Sequence, residues 1–167
     1  MKNTLLLFCF VFIFSLMKAN DADTSKLYNP SANTSKDISE AIKKASEENK
    51  YVLIQAGGNW CSWCIAFNSF TIGDKQIDSS LKADFIIYHL NYSQENKNYT
   101  TFKKYGFPQR FGFPVFLILD GNGKLLHTEN SAYLEKGKSY DKGKVLEFFR
   151  NWRPAATDEK FYQSDLK

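Results

Sequence analysis

Cysteine is scarce in this chain of 167 residues, which contains only Cys9, Cys61 and Cys64. Cys9 lies in an apolar N-terminal run that we expect to be removed, which would leave Cys61 and Cys64. Two cysteines cannot form the disulfide framework of a small secreted protein. A bond between cysteines three residues apart closes a very short loop, so it constrains the unfolded chain little. A structural crosslink therefore explains the pair poorly.

The chain also lacks a strong excess of charge of one sign. It has 22 basic and 18 acidic residues, for a net charge of +4, and its basic residues form no stripe. Proteins that bind nucleic acid need a concentrated positive surface to contact phosphates. We therefore expect no nucleic-acid partner.

No apolar run is long enough to favour a membrane-spanning helix. The longest, residues 5–17, follows Lys2 and is interrupted only by Cys9 and Ser15. Its length and the preceding positive charge are typical of a secretory signal peptide. The sequence predicts a signal peptide at residues 1–19 and export, to the periplasm of a bacterium. An uncleaved N-terminal membrane anchor is the alternative.

Beyond the signal, composition divides the chain into three parts. Residues 20–33 are polar and rich in turn formers, which predicts a linker; residues 34–153 form the domain, and 154–167 a polar C-terminal tail. Apolar spacing predicts helices at 34–49, 61–71, 74–82, 96–105 and 141–152, and strands at 51–56, 85–90, 114–120 and 124–130. Strands separated by helices favour parallel pairing, and the "GNG" turn adds an antiparallel hairpin. The expected fold is α/β, with a mixed four-stranded sheet flanked by helices.

The stretch "GGNWCSWC", Gly57–Cys64, joins a predicted strand to a predicted helix. Free backbone N–H groups and the helix dipole favour a thiolate at Cys61, where the helix begins. Cys64, one turn later, can displace a partner from a mixed disulfide. We predict a redox-active disulfide with Cys61 as the nucleophile and Cys64 as the resolving thiol. Gly57 and Gly58 are expected to let the loop bend.

The same cysteine spacing forms half of many zinc sites, so a metal carrier is an alternative. The chain has two histidines, His89 and His127, and neither has ligand spacing to a second cysteine or histidine. The sequence therefore favours a redox pair, with no metal and no bound cofactor.

Two stretches, in this order, resemble the thioredoxin superfamily. They are "AIKKASEENKYVLIQAGGNWCSWC" and "GFPVFLILDGNGKLL". The chain is most similar to exported bacterial thioredoxin-like proteins with a W-C-x-W-C or W-C-x-x-C motif. The resemblance implies a thioredoxin fold over about residues 34–152 and a cis-proline, Pro114, that faces the cysteines. It also implies that Phe113 and Pro114 bind a substrate chain as an added strand. Without the resemblance, Pro114 only starts a strand.

The chain departs from the thioredoxin pattern at three places. Ser62 and Trp63 stand between the cysteines, where thioredoxin has Gly-Pro. Gln55 stands where thioredoxins have a buried aspartate, six residues before the first cysteine. His89 stands where a lysine usually precedes the "LN" that closes the next strand. An amide and an imidazole thus replace an acid–lysine pair beneath the cysteines.

These positions are expected to support the cysteines. Trp60 and Trp63, one before each cysteine, are expected to line the substrate surface; the alternative is that both only pack. Ser62 and Trp63, between the cysteines, are expected to tune the redox potential and partner choice. His89 is expected to titrate at about pH 6–7 and to accept the proton of the resolving thiol. A simpler interpretation makes Gln55 an ordinary strand residue and His89 a hydrogen-bonded sheet residue.

Together these features predict an exported thiol–disulfide oxidoreductase. Its partners would be protein thiols or disulfides, and it would be a monomer. A low redox potential would make it a reductase supplied by a membrane electron donor. The alternative is a thioredoxin-like module that holds a peptide at the Phe113–Pro114 edge without turnover.

Overall fold

The computed structural model describes residues 26–163 of the chain. The predicted signal peptide at residues 1–19 lies outside the described residues. Within residues 26–163, no helix has the length and apolar character needed to cross a membrane. The helices are α1 Thr34–Glu47, α2 Ser62–Gly73, α3 Lys75–Asp84, α4 Tyr99–Lys104, α5 Lys142–Trp152 and α6 Pro154–Thr157. The strands are β1 Tyr51–Gly57, β2 Phe85–Asn91, β3 Val115–Leu119, β4 Leu125–Asn130, β5 Glu135–Lys136 and β6 Ser139–Tyr140.

The main sheet has the strand order β2-β1-β3-β4. β1 pairs parallel with β2 and antiparallel with β3, and β3 pairs antiparallel with β4. The predicted α/β thioredoxin fold, a mixed four-stranded sheet flanked by helices, is therefore confirmed. In the central strand, Gln55 lies opposite His89 of β2 on one side and Phe116 of β3 on the other.

Alternate residues of the central strands pack into two separate hydrophobic clusters, one on each face of the sheet. One cluster includes residues of α2, α3 and α5, and the other includes residues of α1 and α4. Each fully buried aliphatic or aromatic side chain contributes about 1.5–3 kcal/mol. The sheet is thus held from both faces, which fixes the end of β1 where the cysteines follow.

Both flanks of the predicted domain contribute structure. Tyr28, inside the predicted linker, is fully buried and packs with the two cysteines. In the predicted polar tail, α6 begins at Pro154, and Thr157 Oγ1 lies 2.6 Å from Tyr51 Oη. The packed unit therefore extends beyond Thr34 at one end and beyond Arg153 at the other.

The helix predicted at 96–105 is shorter than expected. α4 begins only at Tyr99, because Asn98 has a left-handed backbone with φ of 45°. The Asn98 side chain donates to the Asn91 carbonyl at 2.8 Å, and Asn96 donates to the Pro30 carbonyl at 2.9 Å. Side chains that bond to loop backbone in this way compete with helix formation.

Candidate active site

The junction of β1 and α2 places both cysteines at a helix N-terminus. Cys61 is the N-cap of α2, and its sulfur accepts a hydrogen bond from the Cys64 backbone N–H at 3.1 Å. The two cysteines form a disulfide with an S–S distance of 2.07 Å and a Cα–Cα distance of 5.2 Å. In the reduced protein, the same N–H group and the helix dipole would stabilise a thiolate at Cys61.

The two sulfurs differ in access to solvent. Cys61 is 5% exposed, whereas Cys64 is 0% exposed and lies inside the first turn of α2. A partner approaching from solvent therefore reaches Cys61 first. This difference in exposure is in keeping with Cys61 as the nucleophile and Cys64 as the resolving thiol. Both roles stay predictions.

The Phe113–Pro114 peptide bond is cis and lies beside the disulfide. Phe113 packs against the cluster formed by Tyr28 and the two cysteines. Trp60 meets the Phe113 ring edge to face, with centroids 5.5 Å apart. These contacts put the proline segment and Trp60 on the same side of the cysteines.

The two tryptophans of the motif have different surroundings. Trp60 is 58% exposed, and its indole N–H donates to the Tyr92 carbonyl at 2.7 Å. Trp63 is only partly exposed and packs edge to face on Tyr140 at 5.5 Å. The Tyr140 hydroxyl donates to the Trp63 backbone carbonyl at 3.0 Å, which ties the first turn of α2 to β6. Ser62 between them is exposed.

Gly57 and Gly58 are required by close packing, whereas the sequence suggested a bend in the loop. Neither has a φ in the left-handed region. A methyl group on Gly57 would collide with Cys64 Sγ and lie 2.9 Å from Tyr28 Oη. One on Gly58 would lie 2.6 Å from the Tyr92 carbonyl oxygen. The missing Cβ atoms let Cys64 and the neighbouring loop approach the backbone.

Gln55 is buried and lies next to the backbone of Cys64. Its Nε2 donates to Tyr28 Oη at 2.8 Å and to the Cys64 carbonyl at 2.9 Å. The amide therefore ties the central strand to the first turn of α2. The simpler interpretation made Gln55 an ordinary strand residue, but its amide also links two other segments of the chain.

His89 lies next to Gln55 across the β1–β2 pairing, and its ring meets Tyr28 edge on at 5.6 Å. Burial lowers the pKa of His89 to about 4, because the imidazolium loses hydration. The expected titration at about pH 6–7 is therefore wrong. At neutral pH the ring is already uncharged.

Tyr28 is the site residue that the sequence did not reveal. Its backbone N–H donates to Asn59 Oδ1 at 3.0 Å, and Asn59 Nδ2 donates to the Tyr28 carbonyl at 2.7 Å. Asn59 belongs to the "GGNWC" loop, so this loop holds the N-terminal segment against the cysteines. The only signal in the sequence was the apolar pair Leu27–Tyr28 within a polar stretch.

The two histidines lie on opposite edge strands of the main sheet. His127 of β4 stacks on Trp152 at 4.1 Å, and its Nε2 lies 3.1 Å from a Glu129 carboxylate oxygen. Among residues 26–163, no group of three histidine, cysteine, aspartate or glutamate side chains is arranged to hold a metal ion.

Solved structures share this fold. The disulphide isomerase from Xylella fastidiosa Temecula1 is 19% identical, with a TM-score of 0.66 over 75% of this chain and 95% of that one. The C-terminal domain of DsbD from Neisseria meningitidis in its oxidised form is 17% identical, with a TM-score of 0.53 over 73% of this chain and 97% of that one. Its reduced form is 18% identical, with a TM-score of 0.52 over 71% and 96%. At these identities the likeness is one of fold.

A search of curated proteins finds no relative that matches the chain. A family model does match, over residues 32–121, and its description is thioredoxin-like. The matched region covers more than half of the chain and includes α1, the cysteine motif and the cis-proline segment. The chain therefore belongs to this thioredoxin-like family.

Proposed function

We propose that this protein is a thiol–disulfide oxidoreductase that exchanges disulfides with protein partners through Cys61 and Cys64. The observation that carries the proposal is the Cys61–Cys64 disulfide at the N-terminus of α2, beside the cis Phe113–Pro114 bond. The thioredoxin-like fold and the disulfide-forming pair support thiol–disulfide exchange. The greater exposure of Cys61 supports it as the point of attack.

The exchange runs in two balanced steps. The Cys61 thiolate attacks one sulfur of a substrate disulfide, and the other substrate sulfur leaves as a thiolate. The Cys64 thiolate then attacks Cys61 Sγ, the Cys61–Cys64 bond forms, and the second substrate sulfur leaves. Two electrons are transferred to the substrate. The two protons lost by Cys61 and Cys64 equal the two protons that the substrate thiolates take up. In reverse, the same steps oxidise a substrate dithiol.

In this proposal, Phe113 and Pro114 bind the substrate chain in an extended form, and Trp60 covers the bound chain. An added strand gains main-chain hydrogen bonds, and an adjacent aromatic surface accepts varied side chains. The large exposed fraction of Trp60 and its edge-to-face contact with Phe113 support this arrangement.

We also propose that the protein works as a monomer after export. The support is the apolar N-terminal run at residues 5–17 and the oxidising character of exported compartments. Turnover as a reductase would require an electron donor at the membrane. Expression of the full chain in a bacterium, followed by fractionation and intact-mass measurement, tests export. A product that retains residues 1–19 in the cytoplasm would contradict it.

The activity test uses insulin as a model protein disulfide. The wild-type protein should accelerate the reduction of insulin by dithiothreitol, and Cys61→Ser should reduce the rate to that of dithiothreitol alone. Cys64→Ala should accumulate mixed disulfides through Cys61, because the resolving thiol is missing. Mixed disulfides that form only in Cys61→Ser would reverse the assigned roles.

A peptide-binding module without turnover is the second candidate, favoured by the exposed Trp60 beside Phe113. In that case Cys61→Ser would bind extended peptides as tightly as the wild type. The wild type would then leave the rate of insulin reduction by dithiothreitol unchanged.

A further inference from the structure

Tyr28 occupies the interior side of the disulfide. Its side chain is 0% exposed and packs with Cys61 and Cys64. Its hydroxyl and the Cys64 sulfur approach the same face of Gly57. A methyl group there would collide with the sulfur and lie 2.9 Å from the hydroxyl oxygen. A buried hydroxyl thus stands where the resolving sulfur is released when the disulfide opens.

The hydrogen bonds of Gln55 make the Tyr28 oxygen an acceptor and do not use its proton. The Cys64 carbonyl can only accept, so the Gln55 atom 2.9 Å from it must be the NH₂ group. The same nitrogen lies 2.8 Å from Tyr28 Oη, so the tyrosine oxygen accepts from it. The hydroxyl proton is therefore free to be donated elsewhere, and Cys64 is its neighbour.

We propose that Tyr28 donates its hydroxyl hydrogen bond to the Cys64 sulfur whenever that sulfur is released from the disulfide. The proposal deepens the proposed function and rests on it for its role in exchange. Gln55 is the positioning residue, since it holds the tyrosine oxygen as an acceptor and leaves the proton for sulfur.

The hydrogen bond acts on a defined step. A substrate thiolate attacks Cys61 Sγ, the Cys61–Cys64 bond breaks, and its electron pair passes to Cys64 Sγ. The departing sulfur becomes a thiolate, and a hydroxyl donor stabilises it. A leaving thiol with a lower pKa departs faster. Tyr28 therefore speeds opening of the disulfide by a substrate thiol.

Among residues 26–163, the other titratable side chains that face Tyr28 are His89 of β2 and Tyr140 of β6. His89 is neutral at pH 7, because burial lowers its pKa to about 4. Burial raises the pKa of both Tyr28 and Tyr140, so their hydroxyls keep their protons. Tyr140 donates to the Trp63 carbonyl. Tyr28 is thus a protonated donor at neutral pH.

The test is a ¹³C NMR titration of the cysteine Cβ resonances in the reduced full chain. Tyr28→Phe should make Cys64 roughly tenfold harder to ionise, which is a pKa increase of about one unit. Tyr105→Phe is the matched control, since Tyr105 is buried in the cluster beside α1 and α4 and its hydroxyl has no hydrogen-bond partner among residues 26–163. It should leave the Cys64 titration unchanged.

A second readout uses the oxidised proteins. Opening of the disulfide by dithiothreitol should be several-fold slower in Tyr28→Phe than in wild type or Tyr105→Phe. An unchanged Cys64 titration in folded Tyr28→Phe would overturn the proposal.

A wild-type measurement covers the case in which Tyr28→Phe does not fold. The ¹³Cζ resonance of Tyr28 should shift with the same midpoint as Cys64, and a resonance that does not respond would overturn the hydrogen bond. If Tyr28→Phe raises the pKa of Cys64 as expected but wild type does not accelerate insulin reduction, the hydrogen bond is supported and the proposed function is rejected.

Discussion

Gln55 stands at the position of the buried aspartate in thioredoxins, and its amide nitrogen donates to Tyr28 and to the Cys64 backbone. An amide cannot take up a proton. His89 is neutral at pH 7, but with a pKa of about 4 it is a weak base. At this residue scale, neither Gln55 nor His89 offers a strong base for the proton of Cys64.

The first prediction concerns His89 and acid stability. Its pKa is about 4 in the folded protein against 6.5 ordinarily, so between these values the unfolded chain binds more protons. Stability therefore falls as the pH drops from about 6.5 to 4, by at most about 1.4 kcal/mol per pH unit. Partial exposure of the ring reduces the total. His89→Gln should remove this slope in urea unfolding measured across that range.

His127→Gln is the control and should keep the slope that arises from His89. The rate of mixed-disulfide resolution should have the same pH profile between pH 6 and 7 in wild type and His89→Gln. A difference in that interval would restore His89 as the base for the resolving thiol.

At the scale of elements, the site depends on how closely β1 and α2 approach at their junction. Gly57 is the last residue of β1, and Cys64 lies in the first turn of α2. The absence of a side chain on Gly57 leaves the space that Cys64 Sγ and Tyr28 Oη fill. Asn59 then joins the loop to the N-terminal segment through two hydrogen bonds.

The second prediction tests this close approach. Gly57→Ala should destabilise the protein by about 1–3 kcal/mol, because a methyl group must displace well-packed atoms. Gly73→Ala is the matched control at the other end of α2, where a methyl group would have no neighbour within 4 Å. It should be neutral or stabilise by up to about 1 kcal/mol. Urea unfolding measures both; equal stabilities would show that the junction can relax.

At the scale of the whole molecule, the segment before α1 belongs to the packed structure around the site. Tyr28 is buried, and the Asn59 side chain forms hydrogen bonds with the N–H and the carbonyl of Tyr28. Asn96 donates to the Pro30 carbonyl. Two parts of the chain that are distant in sequence therefore hold this segment, and Tyr28 within it packs with the cysteines.

The third prediction concerns chain boundaries. A chain that begins at Thr34 should be less stable than one that begins at Asn20 by about 3 kcal/mol or more, since it loses a fully buried aromatic side chain. The control is a chain that ends at Thr157, which removes only exposed residues among those described and should change stability by at most about 0.5 kcal/mol. The midpoint of urea unfolding measures each. If the chain from Thr34 were as stable as the longer one, Tyr28 would contribute no net stability.

Much of the fold could be predicted because its signals are local. Apolar runs such as "YVLIQA" and "PVFLILD" mark strands by composition, and glycine and asparagine mark the hairpin. The cysteine pair follows one such run directly, so its place at a helix N-terminus also follows from local order. The second stretch similar to thioredoxins added Phe113 and Pro114.

The surroundings of the cysteines depended on contacts between distant segments. Tyr28 lies in a polar stretch without periodicity, and only the folded chain brings its hydroxyl beneath Cys64. Burial sets the pKa of His89, and burial depends on what packs over β2. Trp60 and Trp63 hold equivalent places in the motif, yet one faces solvent and the other Tyr140. Local sequence determined where the reactive pair lies along the chain, whereas tertiary packing decided which polar groups surround it and whether they carry a charge, because those groups come from separate elements.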